Sequence, residues 1–164
     1  MRRLITLLAA TLVGLAMLTG VAQAKPVTLT FHEHQAPDTF TDVIPCIGNG
    51  QELGTITTVE NGVLHITAAA LDADGNPIPP YHITGTFTGT VTAVPQDPSL
   101  PTFTGHFTTW FGENSNQKTF NGTFTFTVIA TGSDGSTLKF HETAHVTVNA
   151  QGEVTVEFDR PTCF

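Results

Sequence analysis

The chain has 164 residues, 40% of them hydrophobic and only 12% charged, with a formal net charge of −8. That is long enough to bury one substantial core, and too apolar for disorder driven by charge. The acidic balance also excludes a basic nucleic-acid binder, which needs clustered Lys and Arg.

Residues 1–24 read as a secretory signal peptide. Arg2 and Arg3 form a basic start, 4–18 is apolar, and Ala22-Gln23-Ala24 is an A-x-A cleavage signature. The mature domain then spans 25–164, and the chain is expected to be secreted, extracellular or in the cell-envelope space. Loss of Arg2 and Arg3 takes the formal charge of −8 two units lower, to −10. Such a surface favours solubility over anionic partners. No membrane contact is expected after cleavage.

The mature chain alternates with period 2, and no window carries a helical stripe. Strands are expected near 26–34, 54–60, 63–72, 82–94, 102–111, 119–131, 136–149 and 153–159, with a short addition around 39–44. Over 82–94, Thr occupies one face and Ile83, Gly85, Phe87, Gly89, Val91 and Ala93 the other. Thr suits an exposed pleat and keeps it polar without charge. Asn61-Gly62 reads as a two-residue hairpin turn. Longer loops are expected at 72–77, 95–101 and 112–117, and a tight turn at 133–135. The faces of Val148 and Val154 favour a three-residue loop with a left-handed Gly152.

Ile83-x-Gly85-x-Phe87 recurs as Phe103-x-Gly105-x-Phe107 and as Phe120-x-Gly122-x-Phe124. An inward Gly bends a strand and leaves room for a neighbour's ring. The fold expected is therefore all-β: an antiparallel up-and-down meander closed into a barrel of about eight strands, which removes the sheet edges. A two-sheet β-sandwich is the alternative. Cys46 and Cys163 are expected to form a disulfide, as export to an oxidising space implies.

His141-Glu142-Thr143-Ala144-His145 matches the H-E-x-x-H zinc signature, which requires a helix. On a strand the two His lie about 13 Å apart and Glu142 points to the opposite face. No metal and no cofactor are expected. Asp72-x-Asp74-Gly75-Asn76 lacks the later Glu of a calcium loop and reads as a turn. Phe31 shares the apolar face with Glu33, as Phe140 does with Glu142. Glu142 is expected opposite Phe126. Two interior carboxyls would have raised pKa values and would orient a ligand or act as acid and base. Trp110 is a further candidate ligand contact.

The stretch Gly105-His-Phe-Thr-Thr-Trp-Phe-Gly112, with Thr131-Gly-Ser-Asp-Gly-Ser136, Phe140-His-Glu-x-Ala-His145 and Asp159-Arg-Pro-x-Cys163, resembles small secreted proteins of actinobacteria and related bacteria. The resemblance implies an exported all-β barrel and implies no activity. At fold level the architecture is similar to lipocalins and to allene oxide cyclase and dirigent barrels, but no lipocalin G-x-W stands near the N-terminus.

Three functions fit this reading. The first is binding of a small, mostly apolar molecule in the barrel, with Glu33, Glu142, Phe126 and Trp110 as contacts. The second is an isomerase or cyclase working through Glu33 and Glu142. The third is a non-catalytic envelope or interaction module, in which Phe87, Phe107, Phe124 and Phe126 fill the interior.

Overall fold

Alternating Thr and apolar residues produce seven strands and, among the described residues, no helix. The computed structural model describes residues 26–48, 50–116 and 118–164. The leader expected over 1–24 lies outside the described residues. The strands are β1 Val27–Ile44, β2 Glu52–Leu71, β3 Pro77–Pro95, β4 Phe103–Ser115, β5 Phe120–Gly132, β6 Thr137–Val148 and β7 Val154–Cys163. They form one antiparallel sheet in the order β1-β2-β3-β4-β5-β6-β7.

Seven strands stand where about eight were expected, because Asn61-Gly62 is not a turn. Asn61 pairs with Thr88 and Gly62 with Phe87, in the middle of β2. The Asn61 Oδ1 accepts hydrogen bonds from the Gln35 backbone N–H (3.1 Å) and from Gln35 Nε2 (3.3 Å). Gln35 has φ 49° and sits in a bulge between Glu33 and Ala36. A bulge leaves an extra residue outside the ladder, and the Asn side chain answers its N–H. Gly62 is required for a different reason: a Cβ there would run into the Phe87 ring. The pair that signals a hairpin therefore serves a bulge and a ring. The bulge also carries β1 on to Ile44, absorbing the short strand expected at 39–44.

Three of the real turns share one design. In 72–76, 132–136 and 149–153, the first residue donates its backbone N–H to the carbonyl of the last and accepts a bond from the glycine N–H. Gly75, Gly135 and Gly152 have φ values of 85°, 85° and 79°. That is the type I turn with a left-handed glycine, which suits the sheet's twist. It includes the left-handed Gly152 expected from the faces of Val148 and Val154, which pair directly.

The described sheet is not closed into a barrel: β1 pairs with β2 and β7 with β6, but the two edges do not pair with each other. In an antiparallel meander of seven strands, the first and last run in the same direction. The sheet is nevertheless curled, because Cys46, just after β1, is bonded to Cys163 at the end of β7, with Cα atoms 5.7 Å apart. Near that pinned end lies the core, including Ile44, Ile56, Val91, Phe103, Phe107, Val128, Leu138 and Phe140. Burying a side chain such as Phe107, 3% exposed, contributes roughly 2–3 kcal/mol. Toward the other end Leu64, Ile66, Ile83 and Phe111 are only half-buried.

Candidate functional site

The inner face lines a partly open cavity of about 130 Å³. Its walls come from β1 to β6. Phe40, Ile56, Val91, Phe107, Phe126, Val128 and Phe140 supply apolar surface, and Thr58, Asp38 and Glu60 supply polar groups. Aromatic contacts shape it: Phe126 lies 5.4 Å from Phe107, 6.1 Å from Phe124 and 6.0 Å from Phe140, centroid to centroid. Phe107 and Phe87 are buried, whereas Phe124 and Phe126 are half-buried. Further up, Phe87 and Phe111 stack at 5.9 Å. A Cβ on Gly85 would collide with the Phe111 ring, so the first copy of the Gly repeat makes room for an aromatic, as the pattern predicts.

Charge is segregated by face. Strand alternation and register put Glu33, Asp38, Glu60, Glu113, Glu142 and Asp159 on the concave side. His65, His82, His106, His141 and His145 lie on the convex side among threonines. His141 and His145 each have both ring nitrogens near Thr hydroxyls. Nδ1 lies 2.8 Å from Thr127 and Thr123 respectively, and Nε2 lies 3.3 Å from Thr143 and 3.1 Å from Thr147. The H-E-x-x-H segment is thus an ordinary stretch of strand, with Glu142 opposite to the two His. Among the described residues, no group of three or more His, Cys, Asp or Glu is arranged to hold a metal.

Glu142 pairs in register with Phe126 on one side and Pro161 on the other, and is 1% exposed. Among the described residues neither carboxylate oxygen has a hydrogen-bond donor. Burial, reinforced by the neighbouring Asp159 carboxyl, pushes its pKa up to about 8. The carboxyl is therefore held mainly in its neutral form at neutral pH. Glu142 is not among the described residues that line the cavity.

Glu33 lies on the inner register opposite Gly62, but it is exposed, and its neighbour Phe31 is 48% exposed. The structure does not bring Glu33 and Glu142 together. Glu33 meets Glu60 instead: burial, then the charge and hydrogen bond of Glu33, raise the Glu60 pKa. Trp110 lies on the convex face, 42% exposed, with its ring over Gly112. It is removed from the cavity because it occupies an even position of β4, whose odd positions face inward.

Asp38, Glu60 and Glu113 are inner-face acids that the sequence reading did not single out. Glu60 was placed at a strand end by the supposed turn after it. Following the even positions of 54–68 without a break would have put it inside. Glu113 fell in an expected loop, but β4 continues to Ser115. It is buried beside Tyr81, and burial raises the pKa of both groups. The 72–76 motif is a turn: Asp72 accepts hydrogen bonds from the Asp74 and Asn76 backbone and from Asn76 Nδ2. Those bonds, the Asn76 ones foremost, hold its pKa below the usual range.

Among the described residues no helix is long and apolar enough to cross a membrane. Compared with known proteins, the chain matches no family, no curated protein and no solved structure.

Proposed function

We propose that the protein is an exported, disulfide-pinned β-sheet cup that binds a small, mostly apolar molecule on its concave side. The observation that carries this reading is the cavity of about 130 Å³ among Phe, Val and Ile side chains. A solid core would have favoured a purely structural module instead. The size limits the ligand. Apolar cavities of about 150 Å³ take up benzene, whereas drug-sized ligands need roughly 300–1,000 Å³. A single ring or the end of an apolar chain fits. Asp38 and Glu60 are the acidic groups in the wall, so they rather than Glu33 and Glu142 would orient a polar atom.

Binding is favoured over catalysis by the same geometry. The strongest acid–base pair, Glu142 with Asp159, is not part of the cavity wall. Export is supported by the leader-like sequence and by the Cys46–Cys163 disulfide.

Native mass spectrometry of the mature protein, purified without denaturation and then exposed to benzene or indole, tests the reading. One bound molecule per chain is expected, lost when Phe126→Trp fills the space. No adduct with either probe on a folded protein, or an adduct unaffected by Phe126→Trp, would contradict it.

A further inference from the structure

The sheet ends in two edges, β1 and β7, that run in the same direction and are joined covalently at one end only. They cannot complete an antiparallel barrel by themselves. One more strand, antiparallel to both, would do so. An open edge presents unpaired N–H and C=O groups to such a strand.

The inward side chains beside this seam are acidic on both sides. Asp38 lies on β1, with Glu60 behind it on β2. Glu157 and Asp159 lie on β7, opposite Val146 and Ala144 of the inner face. Behind Asp159 is Glu142, 1% exposed and without a donor among the described residues. A second copy of this chain would bring the same acids against them, and like charges directly opposite are destabilising. Strand β7 begins at Val154 with a bulge at Thr155, and Pro161 ends its usable stretch at about 160, since Pro has no N–H to donate.

We propose that the β7 edge, facing Asp38 across the seam, is a strand-docking site for an extended segment of a partner protein with Lys or Arg at alternate positions. The segment lies antiparallel to β7 as an eighth strand. Its main chain pairs with 154–160, and its basic side chains point inward to Glu157, Asp159 and Asp38. This site shares Asp38 with the cavity wall, but it rests on the open β7 edge and its acids, Glu157 and Asp159, and not on what the cavity holds.

The probe is a capped nine-residue peptide alternating Lys with Val, added to the mature, disulfide-bonded protein. A control peptide of the same composition carries its Lys residues in one block. Hydrogen exchange followed by mass spectrometry should show protection over 154–160 with the alternating peptide and none with the block. Affinity should exceed the control's at least tenfold. Replacing the exposed Glu157 and Asp159 together by Gln and Asn should cost about tenfold in affinity. Equal binding of the two peptides would reduce the effect to general charge attraction and overturn the proposal. So would protection outside the seam, no binding, or protection of 154–160 in the protein alone that grows with its concentration.

Discussion

Glu142 on β6 and Asp159 on β7 meet diagonally across the ladder, Glu142 standing opposite Pro161 and Asp159 opposite Ala144. Burial disfavours the ionised form of Glu142, and the neighbouring Asp159 carboxyl adds to that effect. Glu142 keeps its proton up to about pH 8.

Stability should therefore depend on the protonation of Glu142. In the unfolded chain a Glu titrates near 4.5, and in the fold Glu142 does so near 8. The folded state binds the proton more tightly, so its contribution is complete below pH 4.5 and is lost as pH rises toward 8. The loss is on the order of a few kcal/mol. Urea midpoints of the wild type should fall from pH 5 to pH 8. Glu142→Gln, which always carries donors, should remove most of that slope and be the more stable protein at pH 8. An equal slope in both would show that Glu142 is ionised in the fold.

The disulfide holds the curl. Its closed loop spans a sequence separation of 117 residues, for which the chain-entropy relation gives roughly 4–5 kcal/mol. Cys46→Ser with Cys163→Ser should lower stability on that scale. Amide exchange should rise first along β1 and β7, the two unpaired edges that the disulfide joins. Denaturant melts and exchange by mass spectrometry measure both effects.

Gly85 and Phe111 should behave as a unit. Gly85→Ala forces the Phe111 ring to move and should cost about 1–3 kcal/mol, the usual range for overpacking. In a Phe111→Leu background the same change should cost less, so a double-mutant cycle will show coupling of about 0.5 kcal/mol or more. Strict additivity would mean that the ring already has room.

Asn61-Gly62 separates what a sequence pattern can disclose from what it cannot. Alternation of Thr with Phe, Val and Gly located β3 to β6 because each of those strands has one buried face, and face parity was enough to place Gly152 in a left-handed turn before β7, which is itself exposed. The same logic put Glu142 opposite Phe126. Asn61-Gly62 misled because its meaning lies in residues far away in sequence, Gln35 and Phe87. Local turn preference has no access to such partners. That one break split β2 in two, raised the strand count, and hid Glu60. Trp110 was drawn toward the ligand by its chemistry, although its even position in β4 already assigned it to the Thr face. A three-residue insertion between Asn61 and Gly62 makes the contrast measurable. A hairpin loop would tolerate it; the middle of a strand will not, and the mature protein should lose its cooperative melt.

The central claim is that the concave side of the cup holds a small apolar molecule. A methyl-resolved NMR titration of the mature protein with benzene or indole tests it most directly. Methyl signals of Ile56, Val91, Val128 and Leu138, all in the cavity wall, should shift together and saturate. Those of Val94 and Ile129, both largely exposed, should stay still. Shifts confined to the exposed residues, or no saturable shift in the wall, would contradict the account.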